Sequence, residues 1–221
     1  MKFEAVLFDC DGVLADSEPL TNGVLRHMLQ ERGWTLSVAQ CMDLFVGKAL
    51  KDELALIEQN TGQPTTAAWL DEFIVRRNVA LEKELAAIPN ILPAVQKIHA
   101  QYGGNIACAS GADRFKVEMM LRQLALMPYF EGRIFSGHET PLSKPHPDVY
   151  LAAAQALSVA PSRCAVIEDT VTGVLAGVAA GSTVFAYLPL TTRHVDALQL
   201  RQAGAHHVFA DMADLPGLLS A

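Results

Sequence analysis

Short apolar runs of strand length recur along the chain, and each breaks off at a polar residue. The first is the most abrupt: Ala5-Val6-Leu7-Phe8 stops at Asp9, and Asp11 and Gly12 follow at once. Ile106-Ala107-Cys108-Ala109 leads into Ser110-Gly111, Arg133-Ile134-Phe135 into Ser136-Gly137, and Ala165-Val166-Ile167 into Glu168-Asp169. Val184-Phe185-Ala186-Tyr187 and His207-Val208-Phe209 read as two further strands. Runs of this kind suit strands buried on both faces of a parallel sheet. Between them lie helical spacings: Leu92, Val95 and Ile98; Phe115, Leu121 and Leu124; Val149 to Leu157; Val171 to Ala180. Strands alternating with helices predict an α/β fold with a doubly wound parallel sheet.

One stretch breaks the rhythm. From about Asp16 to Ala87 the spacing is helical throughout, with Leu20, Val24, Leu25, Met28 and Leu29 stopped by Gly33, Leu50, Leu54 and Ile57 stopped by Gly62, and Trp69, Phe73 and Leu85 after Thr65-Thr66. A crossover between two parallel strands needs a single helix, so this length predicts an inserted helical domain. The expected division is a core of residues 1–15 and 88–221 and a helical cap of residues 16–87. Asp16 is expected to cap the first insert helix. The insert leaves the sheet just past Asp9 and Asp11, where it could cover them as a lid.

In open α/β sheets ligands bind beyond the carboxyl ends of the strands. The strand exits and the segment after the third strand bring Asp9/Asp11, Ser110-Gly111, Lys144 and Glu168-Asp169 toward one edge. Carboxylates from two strands (Asp9, Asp169 and Glu168) make a hard oxygen site suited to Mg²⁺. Lys144 adds a point charge, and Ser110 with the Gly111-Ala112 backbone offers donors to an anion. Each element alone also has a plain structural reading: an acidic turn, a helix start capped by Asp113, a surface lysine, a solvated strand exit. Their joint order and location favour a site for a phosphate monoester dianion.

Composition narrows the classes. The 221 residues are 51% hydrophobic and 19% charged, enough for a sizeable folded core. Asp and Glu number 24 against 17 Lys and Arg, a formal charge of −7 with no basic run, which argues against nucleic acid or anionic membrane as partner. Cys10, Cys41, Cys108 and Cys164 sit mostly beside apolar runs with no C-x-x-C spacing, as buried free thiols do. Glu4 and Asp9 interrupt any leader-like apolar region. A cytoplasmic monomer acting on a small molecule is expected. His146 reads as a loop residue and His206-His207 has no metal spacing, so no histidine is assigned to the site.

The sequence resembles the haloacid dehalogenase superfamily, in the subgroup of small phosphatases and β-phosphoglucomutase-like enzymes with a helical cap. The resemblance rests on Asp9-x-Asp11-Gly12-Val13, Asp16-Ser17, Ser110-Gly111, Lys144-Pro145-x-Pro147-Asp148 and Glu168-Asp169 with Thr172-Gly173 behind it. It implies that Asp9 is the nucleophile and Asp11 the general acid, then base. It implies Mg²⁺ held by Asp9, the Asp11 carbonyl and Asp169 with Glu168 at its edge, and phosphoryl oxygens bound by Ser110 and Lys144. Lys48, beside Gly47, and the pair Arg76-Arg77 are cap candidates for the rest of the substrate; for Arg76-Arg77 a solvated helix face is an equal reading.

The resemblance leaves three functions: a Mg²⁺-dependent phosphatase for a sugar or sugar-acid phosphate, a hexose-phosphate mutase, or an idle phosphoryl-binding regulator. The mutase pattern carries a histidine ten residues past the second Asp, where this chain has Thr21, and a basic residue shortly after the cap-loop glycine, where Leu50 stands although Lys48 is near. Both departures favour hydrolysis. An idle site has no need of Asp11.

Overall fold

In the computed structural model, residues 2–48, 50–190 and 195–220 are described. The strands are β1 (Ala5–Phe8), β2 (Ile106–Ser110), β3 (Ile134–Ser136), β4 (Cys164–Glu168), β5 (Thr183–Tyr187) and β6 (His207–Phe209). They form one parallel sheet in the order β3-β2-β1-β4-β5-β6. This is the expected doubly wound sheet, with β1 in its interior, where the direction of winding reverses.

The pleat explains why β1 is apolar at every position. Val6 and Phe8 join the core on one face, while Ala5 and Leu7 join the core on the other. The Val6 and Phe8 face is covered by α5 (Ile91–Gln101), α6 (Arg114–Gln123), α7 (Met127–Phe130) and α11 (Leu215–Leu218). The opposite face is covered by α8 (Asp148–Ala156), α9 (Val171–Ala179) and α10 (Ala197–Gln202). Phe115 does not join α6's packed side: it is 63% exposed, and Val117, Met120 and Leu121 make the buried stripe instead. Cys10, Cys41, Cys108 and Cys164 are buried and free.

Residues 16–87 contain α1 (Glu18–Glu31), α2 (Val38–Phe45), α3 (Leu54–Thr61) and α4 (Ala67–Glu84). Leu25, Met28, Leu29, Cys41, Phe45, Ile57, Trp69 and Phe73 form a separate apolar cluster there. Ser37 and Gln40 make a reciprocal capping box on α2, and Thr66 caps α4. Gly62 ends α3 in the left-handed conformation. Asp16 does not cap α1: the cap position belongs to Ser17, whose hydroxyl is engaged elsewhere. The segments entering and leaving the insert run side by side, with Asp16 N–H donating to Ala86 O at 2.9 Å and Ile88 N–H to Leu14 O at 3.3 Å. The proposed core–cap division falls on this paired link. Among the described residues no helix is long and apolar enough to cross a membrane.

Candidate active site

The chain turns sharply after β1. Cys10 O accepts from the N–H groups of Leu14 and Ala15, and Gly12 N–H donates to Ala15 O. Gly12 has φ +76°, and a Cβ there would lie 1.9 Å from Asp169 Oδ2. Only glycine lets the two strand exits come this close. The turn separates the two acids, because Asp9 and Asp11 face different partners.

Asp9 lies among buried charges. Lys144 Nζ is 2.6 Å from Asp9 Oδ1, 2.6 Å from Glu168 Oε1 and 2.9 Å from the Tyr150 hydroxyl. Tyr150 donates to Glu168 Oε1 at 2.6 Å. Glu168 Oε2 accepts from Asp169 N–H at 3.0 Å and from Thr170 Oγ1 at 3.3 Å. Both Glu168 oxygens are therefore committed to the protein, and its evident work is to hold Lys144.

Asp9, Glu168 and Asp169 each bring an oxygen within 4.8 Å of the others. Of these three buried carboxyl groups, Lys144 pairs with Asp9 and Glu168 and leaves Asp169 without a cation in contact among the described residues. Burial, followed by Glu168 and Asp11, pushes the Asp9 carboxyl up to about 7 against the opposing pull of Lys144. Burial, then Glu168 and Asp9, push Asp169 well above the usual range. Asp169 Oδ1 is buried with no hydrogen-bond partner among the described residues. A shortage of positive charge, an orphaned carboxylate oxygen and hard donors fit a divalent cation of the Mg²⁺ type. Asp9 and Asp169 have the oxygens to hold it; Glu168 would contribute only by giving up a bond it now makes.

Asp11 turns the other way. Its Oδ1 accepts from Ser17 Oγ and from Lys116 Nζ, the latter at 2.5 Å. Burial raises its pKa, but the Lys116 charge and the bonds from Lys116 and Ser17 outweigh it and leave the carboxyl below its ordinary value. Ser110 is buried at the end of β2, and its Oγ accepts from Ala112 N–H at 3.1 Å. That N–H is therefore already taken by Ser110. Asp113 caps α6 through Lys116 N–H, as its plain reading implied.

These groups floor a cavity of about 320 Å³ roofed by the insert. Asp9, Asp11, Ser110, Gly111, Lys144 and Glu168 all line it. Lys48 lines it from the roof, half exposed and 3.5 Å from Glu53. Arg76 does not reach it: its guanidinium pairs with Glu31 at 2.8 Å and Glu72 at 2.5 Å on the outer face of α4. The next residue, about 100° further around the helix, does. Arg77 is buried, lines the cavity and pairs with Asp113 Oδ2 at 3.0 Å.

Sequence reasoning passed over several wall residues. Glu18 accepts from Asn22 Nδ2 at 2.8 Å, and its carboxyl is pushed up to about 7, first by burial and then by Asp11. His138 also lines the cavity, its pKa lowered by burial and then by Lys51, so the wall does contain a histidine. Lys116 and Tyr150 carried no signal, because each reads as an ordinary residue of an amphipathic helix.

The haloacid dehalogenase-like hydrolase family matches residues 3–181. The 6-phosphogluconate phosphatase of Escherichia coli (strain K12) is 31% identical over 83% of this chain and 82% of its own. Hexitol phosphatase B of the same organism is 30% identical over 80% of this chain and 79% of its own. Among solved structures, a HAD family hydrolase from Deinococcus radiodurans R1 with bound phosphate and sodium superposes with a TM-score of 0.79 at 33% identity, covering 99% of this chain and 96% of that one.

Proposed function

The chain belongs to the haloacid dehalogenase-like hydrolases, and on that premise we propose that it is a Mg²⁺-dependent phosphatase of a small sugar or sugar-acid phosphate, working through a phosphoryl-aspartate at Asp9. The observation that carries this reading is at the base of the cavity, where Asp9 lies 2.6 Å from the Lys144 ammonium and brings an oxygen within 4.8 Å of one on buried Asp169, whose Oδ1 has no hydrogen-bond partner among the described residues. The similarity to phosphatases of 6-phosphogluconate and of hexitol phosphates supports the substrate class.

Asp9 and Asp169, with the Asp11 carbonyl, would hold the metal. Bound Mg²⁺ supplies positive charge that lets a carboxylate and a phosphate dianion approach. Lys144, anchored by Glu168 and Tyr150, and Ser110 bind phosphoryl oxygens. Asp9 attacks phosphorus and the ester P–O bond breaks. A phosphate dianion in the cavity opposes the pull of Lys116 and favours the protonated form of Asp11. Asp11 then gives that proton to the leaving alkoxide and takes one from the water that attacks the phosphoryl-aspartate and restores Asp9. Charge stabilisation and positioning are most of this catalysis.

Thr21 favours hydrolysis over the mutase, since its uncharged hydroxyl cannot exert the control over the general acid that a histidine there has in the mutase pattern. Purified protein with Mg²⁺ and a panel of sugar, polyol and sugar-acid phosphates is expected to release inorganic phosphate, and Asp9→Asn to abolish the release. No release from any ester, or an Asp9→Asn variant as active as wild type, would overturn the reading. Phosphate retained on the sugar would support the mutase.

A further inference from the structure

Lys116 is a buried charge that the mechanism above leaves without a task. It lies in the first turn of α6, and its side chain is 7% exposed. Burying an ammonium is costly unless a partner offsets the lost hydration, and long side chains lose further rotamer entropy. The partner is Asp11: Lys116 Nζ lies 2.5 Å from Oδ1. Ser17 Oγ donates to the same oxygen. Asp11 Oδ2 takes part in no hydrogen bond among the described residues.

This asymmetry matters for a proton donor. The terminal torsion of an aspartate is soft, so nothing intrinsic decides which oxygen meets the substrate. Two donors on Oδ1 decide it. They also come from separate parts of the chain, Lys116 from α6 of the core and Ser17 from the start of the insert.

We propose that Lys116 is a positioning residue for Asp11: together with Ser17 it pins Oδ1 and reserves Oδ2 for the proton exchanged with the leaving group. The inference deepens the phosphatase reading and rests on it. In the first half-reaction the proton passes from Oδ2 to the ester oxygen as the P–O bond breaks, and Lys116 neutralises the carboxylate left behind. In the second, Oδ2 takes the proton of the attacking water.

The test compares the best alkyl ester of the panel with p-nitrophenyl phosphate, whose leaving group departs without a proton. Lys116→Met is expected to lower kcat on the alkyl ester by about 10²-fold, the scale of general acid catalysis, and to lower it much less on the aryl ester. Lys116→Arg should recover part of the alkyl activity. Equal losses on both esters, an unchanged ratio, or a rise in KM with kcat intact would overturn the proposal. A crystal structure of Lys116→Met gives a reading independent of turnover: Asp11 is expected to leave its rotamer, and an unmoved Asp11 held by Ser17 alone overturns the clamp. If wild type hydrolyses no ester, the functional reading fails, and the Asp11 rotamer still decides the clamp.

Discussion

Gly173 leaves empty the space that the Glu168 carboxylate fills: a Cβ at residue 173 would lie 1.9 Å from Glu168 Oε1. Gly173 is in the first turn of α9, where alanine would ordinarily stabilise by up to about 1 kcal/mol. Here the sign is expected to reverse. Gly173→Ala must displace the residue that anchors Lys144, so a loss of about 2 kcal/mol or more and a collapse in phosphatase activity are expected. Gly23 in α1 meets nothing within 4 Å, and Gly23→Ala should stabilise by about 0.5–1 kcal/mol. Denaturant unfolding of the two variants checks both signs.

Arg76 and Arg77 are adjacent in sequence and opposite in consequence. Arg77→Met leaves Asp113 without its cation across the cavity wall. With Asp113's side chain 30% exposed, the cost is expected to be about 1–3 kcal/mol rather than the larger figure for a fully buried pair. The Asp113 carboxyl is pushed up by burial, but the Lys116 N–H and Arg77 outweigh this and hold it below its ordinary value. A depressed folded value means that the contribution is present above about pH 4 and lost as pH falls through the folded value. The Arg77→Met deficit should therefore shrink on acidification, which unfolding curves at several pH values would show. Arg76→Met is expected to leave kcat and KM as they are; a KM raised by it would return Arg76 to the substrate site.

Tyr150 donates to Glu168 Oε1 and accepts from Lys144 Nζ. Tyr150→Phe keeps the packing and removes one buried hydroxyl, so a loss of about 0.5–1.5 kcal/mol is expected. Lys144 would keep its charge but lose a fixed direction. A weaker grip on the phosphoryl group, read as a raised KM for the best ester, is the kinetic outcome. An unchanged KM would show that Glu168 and Asp9 aim Lys144 without the Tyr150 hydroxyl.

How far the sequence was legible follows from what each signal depends on. The β1, β2 and β4 runs declared themselves because both faces of an interior strand are buried, so every position must be apolar. Asp9 and Asp169 at strand exits and Lys144 in the segment after β3 each have a plain structural reading alone, and stood out only through their joint order and location along the chain. Lys116 and Tyr150 were hidden because a helix shows one residue of each turn to the cavity and local spacing does not say which. Phe115 misled for the same reason: it has apolar chemistry at helical spacing but points outward. Choosing Arg77 over Arg76 needed the rotation of α4, which is set by packing its Trp69, Phe73 and Leu81 side. Ser17 took the cap position expected of Asp16 and then used its hydroxyl on Asp11, a long-range preference invisible in the local pattern.

Acid–base behaviour and metal binding should prove to be one phenomenon at Asp9. Burial, then Glu168 and Asp11, raise its carboxyl to about 7 in the folded protein, against Lys144. An unfolded aspartate titrates near 3.9, so the folded state retains a proton that the unfolded chain has already released. For a raised folded value, stability is fully present below the unfolded value and is lost as pH rises through the folded one. Metal-free protein should therefore melt at a lower temperature at about pH 8 than at about pH 5, with Asp169 adding in the same direction. A divalent cation competes with that proton for the same oxygens, since ligands must be deprotonated to bind. Mg²⁺ is thus expected to raise Tm substantially at the higher pH and little at the lower, and Asp9→Asn to reduce both dependences, with the contributions of Asp169 and Glu18 left in place. Thermal melts with chelator and with saturating Mg²⁺ at the two pH values decide it. A Mg²⁺ shift that is equal at both, or larger in acid, would separate the metal from Asp9.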